Sequence, residues 1–300
     1  MSTRRFTRGL VAAVGAAAVI ATASASAAES DVIGCGTVIT DSVTLTHDLA
    51  GCAGDGLVIS ADNVTLDLGG HSLGGTGTGA GILIEGSHVR VSNGTVRGFD
   101  AGVAIAGEYK YRRLTDVGIS YLNLSGNSRT GIAASYVTAA RLEHNALTHN
   151  GSWGLLAYEL HGDVVDNDAV ANGTGGGLDR GGISMKESGG TVSGNRSLHN
   201  AGPGMRFPDP HALAVTGNRA DGNAADGIAL SQNYPGYELV VITANSANRN
   251  AGYGIRAEPT PWGALPTDNG RNSAWRNDNP AQCLSISCAR NPGQANLPAL

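Results

Sequence analysis

Gly204-Met205-Arg206-Phe207, then Asn218 and Asn223, then Gly227-Ile228-Ala229-Leu230, then Asn245 and Asn250, then Gly254-Ile255-Arg256-Ala257: this stretch repeats one phrase, and the fold is read from it. A Gly leads a strand-forming triplet, and two Asn with a four-residue spacer close the unit. Working outward, the triplet also occurs at Gly81-Ile82-Leu83-Ile84, Gly102-Val103-Ala104-Ile105, Gly131-Ile132-Ala133-Ala134, Gly154-Leu155-Leu156-Ala157 and Gly182-Ile183-Ser184-Met185. Successive glycines lie 21, 29, 23, 28, 22, 23 and 27 residues apart, a basic unit of about 22 with insertions. The Asn pair recurs at Asn145/Asn150, Asn167/Asn172, Asn195/Asn200 and Asn272/Asn277. Repeats of this length are turns of a solenoid, in which each turn buries its apolar side only by stacking on its neighbours. An Asn at one point of every turn can form a ladder, each side-chain amide donating to the next side-chain carbonyl. The Leu-x-x-Leu-x-Leu frame of leucine-rich repeats is absent, and 45 glycines in 300 residues exclude helical repeats.

These repeats, with the opening Cys35–Thr40 and Leu57–His71, resemble the right-handed parallel β-helix proteins of the pectate lyase-like superfamily. The resemblance runs over roughly residues 31 to 290 and implies an all-β, single-stranded right-handed parallel β-helix of about nine to ten coils. Each coil is expected to hold three short strands, with coils about 4.8 Å apart. The expected organisation is a signal peptide at 1–28, an N-terminal cap at 29–56, the β-helix at 57–258 and a C-terminal capping segment at 259–300.

The signal peptide is read from Arg4, Arg5 and Arg8, an apolar run from Leu10 to Thr22, and the small-residue site Ala25-Ser26-Ala27. The protein is therefore expected to be secreted, extracellular and monomeric. In an exported chain the four cysteines are expected to pair, Cys35 with Cys52 and Cys283 with Cys288. A net charge of -5 and 15% charged residues point to no nucleic-acid partner. No second apolar run has membrane length, so no membrane insertion is expected.

Side-chain alternation within the Gly-led strands indicates what faces outward. The first three coils present Leu83/Glu85, Ala104/Ala106 and Ala133/Ser135, and the next five present Leu156/Tyr158, Ser184/Lys186, Arg206/Pro208, Ala229/Ser231 and Arg256/Glu258. The later coils thus carry nearly all the polar chemistry, beside an Asp209-Pro210-His211 turn. In the resembled family this strand lines the binding groove, and its loops make the walls. Insertions at Gly107–Arg113, Gln232–Glu238 and Gly173–Arg180 would then surround one groove. A cationic row with an aromatic and a His suits an acidic sugar chain: Arg and Lys hold carboxylates, and Tyr stacks on or protonates a ring.

Uronate elimination or epimerisation needs a base, a carboxylate-neutralising group and an acid. By residue type these are Lys186 or His211 as base, Arg206 as neutraliser and Tyr158 as acid. Arg256, Glu258, Ser231, Tyr234 and Tyr237 are the candidate substrate-binding residues. Asp209-Pro210-His211 resembles the tripeptide of mannuronan C5-epimerases, which would assign catalytic roles to Asp209 and His211. The aromatic-Gly pair that usually precedes it is missing here. No cofactor is expected. Asp163, Asp166 and Asp168 leave Ca²⁺ open without indicating it, and no Met/His cluster supports the copper handling known on this fold. The expected function is action on, or binding of, an extracellular and acidic polysaccharide by lyase- or epimerase-type chemistry. The alternative is a noncatalytic carbohydrate-binding or surface-interaction solenoid, with metal (copper) handling ranked behind it.

Overall fold

The computed structural model describes residues 33–177, 179–233 and 239–289. They form an all-β, right-handed parallel solenoid of about ten turns with no helix. The Gly-led strands stack into the first sheet, from Thr37–Ile39 and Leu57–Ile59 through Ala80–Ile84 and Ala101–Ala106 to Gly181–Lys186, Met205–Pro208, Ile228–Ser231 and Ile255–Ala257. A second sheet runs from Val43–Thr44 through Gly189–Ser193 and Leu213–Thr216 to Thr267–Asp268. A third runs from Leu49–Cys52 through Arg196–Leu198 and Arg219–Asp221 to Cys288–Ala289.

Because the strands are parallel and in register, like residues stack on like. Ile82, Val103, Ile132, Leu155, Ile183, Met205, Ile228 and Ile255 form one such column, none more than 1% exposed. The second sheet adds Leu66, Val91, Ile119, Leu142, Val164, Val192, Val215 and Ile242, all buried. Burying these side chains contributes ~1.5–3 kcal/mol each, so the core is a line of hydrophobic stacks running along the axis.

The two Asn series are ladders. At the corner between the second and third sheets, Asn145, Asn167, Asn195, Asn218 and Asn245 each pass a hydrogen bond from Nδ2 to the Oδ1 of the next member at 3.0–3.1 Å, and the last member, Asn272, donates to Asp268 Oδ1 at 3.0 Å. At the corner between the third and first sheets, Asn127, Asn150, Asn172, Asn200, Asn223, Asn250 and Asn277 do the same at 3.0 Å. In the second ladder each Oδ1 also accepts the backbone N–H of the preceding Asn at 2.9–3.1 Å. Gln282 closes that ladder, its Oε1 accepting from Asn277 Nδ2 at 3.0 Å. Every buried polar group at these corners thereby finds a partner.

The Gly that leads each first-sheet strand faces this second ladder. A methyl group on Gly102, Gly131, Gly154, Gly182, Gly204 or Gly227 would lie 2.5–2.8 Å from the carbonyl oxygen of the equivalent Gly one turn on, and 2.7–3.0 Å from an Asn Nδ2. The Asn amide occupies the space that a Cβ would need. Gly and Asn are therefore two halves of one corner, and from Asn127 to Asn250 the Gly follows its Asn by four residues in every turn except Asn172/Gly182, where the 173–180 insertion separates them.

The solenoid is longer than the expected 57–258. Thr37–Ile39 already pairs with Leu57–Ile59, so residues expected as a cap form a turn of the stack. At the other end Asn272–Trp275, Cys283–Leu284 and Cys288–Ala289 extend the sheets beyond Glu258. At the N-terminal end Gly36 and Gly56 still lead Thr37–Ile39 and Leu57–Ile59, whereas at the C-terminal end Gln282 takes the leading position before Cys283–Leu284. Disulfides join Cys35 to Cys52 and Cys283 to Cys288. The expected signal peptide at 1–28 lies outside the described residues.

Candidate functional site

Outward residues of the first sheet fall into two rows fixed by register. Leu156, Ser184, Arg206, Ala229 and Arg256 make one row, and Ser135, Tyr158 and Lys186 belong to the other. Each strand then turns through a residue with positive φ: Tyr136 (52°), Glu159 (50°), Glu187 (50°) and Asp209 (51°). That left-handed corner breaks the alternation and brings Tyr136, Glu159 and Glu187 beside the second row, none of them buried.

The corner gathers aromatic and charged groups. Tyr109, Tyr136 and Tyr158 form a chain, with ring centroids 5.6 Å and then 5.2 Å apart, the second pair edge to face. Lys186 Nζ stands 5.4 Å from the Tyr158 centroid and the Arg113 guanidinium 5.7 Å from that of Tyr136. Tyr158 donates its hydroxyl to Glu187 Oε2 at 2.9 Å, and Lys186 pairs with the other oxygen at 3.4 Å. Arg113 is ion-paired with Glu159. The Glu187 carboxylate, with burial adding to it, holds the Tyr158 proton well above the ordinary tyrosine range. Arg113 and Tyr109 come from the Gly107–Arg113 insertion, which is closed by an antiparallel bridge between Glu108 and Arg112.

His161 and His211 flank Gly189. A methyl on Gly189 would lie 3.1 Å from His161 Nδ1 and 2.1 Å from the His211 carbonyl oxygen, so the missing side chain is what admits the imidazole. Burial pushes the His161 pKa below its ordinary value of 6.5, and the nearby positive charges of Arg113 and His211 push it the same way. His161 therefore takes up fewer protons folded than unfolded, and stability rises with pH through the window below 6.5. Acidification from about pH 7 to about pH 5 is expected to lower the melting temperature, and His161→Asn should flatten that acid limb. An unchanged acid limb in the variant would show that His161 does not contribute.

A family model described as a right handed beta helix region matches residues 80–260. The chain belongs to the right-handed β-helix family. No curated protein sequence matches this β-helix. Among solved structures it is similar to a periplasmic alginate epimerase, AlgG, with TM-score 0.45 and 12% identity over 84% of this chain and 76% of that one. It is also similar to tailspike protein 2 of the Escherichia coli O157:H7 bacteriophage CAB120, with TM-score 0.45 and 12% identity over 86% of this chain and 38% of that one. The A-module of a mannuronan C-5 epimerase from Azotobacter vinelandii gives TM-score 0.39 and 16% identity, covering 86% of this chain and 79% of that chain. At these identities the likeness is one of fold alone.

Within this β-helix the candidate residues do not form one constellation. Arg206 turns toward the rim before its strand, donating to Asp179 at 2.7 Å and lying 4.9 Å from the Trp153 centroid. His211 is exposed beyond the opposite end of the same strand. Asp209 is 4% exposed and accepts from the Asn233 backbone N–H at 2.7 Å and from its Nδ2 at 3.1 Å, so its carboxylate anchors a loop. Arg256 donates to Asp226 at 2.6 Å and is paired with Glu258. Ser231 is half-buried in the second outward row beside Pro208, and Tyr234 and Tyr237 lie outside the described residues. The cations expected to neutralise uronates are thus already matched by Asp179, Asp226, Glu187 and Glu258.

Tyr136, Glu159, Glu187, Arg113 and His161 were not singled out by sequence. Alternation carried past the strand end assigns the next residue to the interior, and only the left-handed corner reverses it. The signal was a polar or aromatic residue directly after the second outward position in successive repeats. Asp168 of the acidic trio is paired with Arg196 at 3.1 Å. Among the described residues no group of three or more His, Cys, Asp or Glu is placed to hold a metal ion.

Proposed function

We propose that this protein is an exported β-helix that binds an extended polysaccharide across the Tyr109–Tyr136–Tyr158 corner and the adjoining outer face of the first sheet. The observation that carries this reading is the chain of three tyrosines in ring contact, flanked by matched ion pairs. Tyrosine rings offer flat apolar surface to the C–H faces of a pyranose, and Glu159, Glu187, Lys186 and Arg113 offer acceptors and donors for its hydroxyls. Charge matching favours hydroxyl recognition over capture of a dense polyanion. Two disulfides suit an oxidising compartment, in keeping with export.

A catalytic version of the same reading rests on His161, whose pKa burial lowers, as the base and on the Tyr158 hydroxyl held by Glu187 as the acid. Two variants separate the versions. Against a panel of neutral and uronate polymers, Tyr158→Ala is expected to weaken binding about tenfold by removing an aromatic face. Tyr158→Phe keeps that face and loses only the proton. Binding that survives Tyr158→Phe, with no unsaturated or epimerised product from the wild type, supports the platform. Product formation abolished by Tyr158→Phe supports catalysis, and undiminished binding by Tyr158→Ala would sink both.

A further inference from the structure

A second feature lies on a different side of the solenoid, at the outer face of the third sheet in its first turns. A hollow of about 570 Å³ is lined by Gly51, Gly74, Gly75, Gly98 and Gly126, with Arg97, Ser125 and His149. Register puts Gly74, Arg97, Ser125 and Thr148 in one outward row. The corner beside that row carries Gly98, Gly126 and His149, all with positive φ.

Packing explains only part of this bareness. Gly75 and Gly98 have no room for a side chain, since a methyl would lie 2.5 Å from Phe99 in the first case and 2.9 Å from the Gly75 oxygen in the second. At Gly51 and Gly126 a methyl would meet nothing within 4 Å, and at Gly74 nothing closer than 3.7 Å. Positive φ alone does not require Gly at 126 either. The same corner in later turns holds His149 (56°), Ala171 (55°), His199 (54°), Arg249 (56°) and Arg276 (56°). Apart from Gly222, the later turns fill this corner with side chains, and the first turns leave it open.

Arg97 stands in the hollow with an exposed guanidinium that makes no hydrogen bond, ion pair or ring contact with any described residue. Arg206 and Arg256, by contrast, are each matched by a carboxylate. An unmatched guanidinium presents a planar fork suited to two carboxylate oxygens, and a glycine floor lets a flat ring approach the backbone.

We propose that this hollow is a second binding site, separate from the tyrosine corner, that takes a carboxylated sugar unit with its carboxylate on Arg97. The test is calorimetric titration of the full protein with trigalacturonate and with neutral maltotriose. Trigalacturonate is expected to bind and maltotriose not to, and Arg97→Ala should weaken the acidic ligand about tenfold, the worth of a charge-assisted pair. Gly126→Asn tolerates the left-handed corner and fills the hollow, so it should weaken binding without touching the charge. Carried out in the Tyr158→Ala background, where the tyrosine corner no longer contributes, the same titrations isolate this hollow and separate its failure from failure of the platform. Equal binding of the two trisaccharides, no binding of trigalacturonate, or wild-type affinity in both Arg97→Ala and Gly126→Asn would overturn the proposal.

Discussion

Asn195→Ala is expected to cost about 3–6 kcal/mol, enough to leave the solenoid largely unfolded against a typical total of about 5–15 kcal/mol. Asn195 Oδ1 accepts the backbone N–H of Asn167 at 2.9 Å and its Nδ2 at 3.0 Å. Its own Nδ2 donates to Asn218 Oδ1 at 3.0 Å and to the carbonyls of Val164 and Ser193 at 2.7 and 3.0 Å. Truncation orphans the Asn167 N–H and the Val164 carbonyl in a corner where Asn195 is fully buried. Each orphaned buried group costs ~1–3 kcal/mol, and the lost side chain adds a cavity. Asn123 is exposed on a strand surface, and Asn123→Ala should change stability by less than about 0.5 kcal/mol. Urea unfolding of the two variants checks the contrast, and equal midpoints would contradict the ladder account.

Gly204→Ala is expected to destabilise by about 3 kcal/mol for a different reason. The added methyl would lie 2.6 Å from the Gly227 carbonyl oxygen, 2.7 Å from Asn223 Nδ2 and 3.1 Å from Ala220 Cβ. Two of these belong to groups held by ladder hydrogen bonds or by the next turn, so neither can yield without breaking the register above it. Gly217→Ala is the control: φ is 64° there, but a methyl meets nothing within 4 Å. Its cost should be the left-handed backbone penalty alone, about 1 kcal/mol. Thermal melts of both variants decide the matter, and a Gly204→Ala protein as stable as Gly217→Ala would show that the corner is looser than described.

These two substitutions bear on why the fold was so legible. The Gly-led phrase and the Asn pair are printed in the sequence because each turn must satisfy the same corner, and a solenoid repeats its local problem instead of solving it once. Outward positions inside the strands were legible for the same reason: period two holds while the backbone stays extended. It fails at Tyr136, Glu159 and Glu187, where a left-handed residue turns the chain and a buried assignment becomes an exposed one. The turn at Thr37, led by Gly36, precedes the first counted repeat, and Gln282 replaces the leading Gly before Cys283, so both ends were read as caps although their strands remain in register.

Pairing is what alternation could not supply. Arg206 and Arg256 stand on the outer face as expected, yet the acids that match them, Asp179 and Asp226, precede first-sheet strands that lie beside theirs only in the folded stack. Arg206 and His211, five residues apart, face opposite rims because a whole strand separates the side chains they approach. Glu159 and Arg113 are 46 residues apart and meet only because the insertion of one turn reaches over the next. The candidate site is thus a property of stacking between turns, where single-turn reading has no purchase.

The most direct test of the functional account is a crystal structure of the protein with an oligosaccharide from the polymer it retains. Ordered pyranose rings are expected on the faces of Tyr136 and Tyr158, with ring hydroxyls on Glu159 and Glu187. Ordered sugar on another face, with both tyrosines bare, would contradict that expectation.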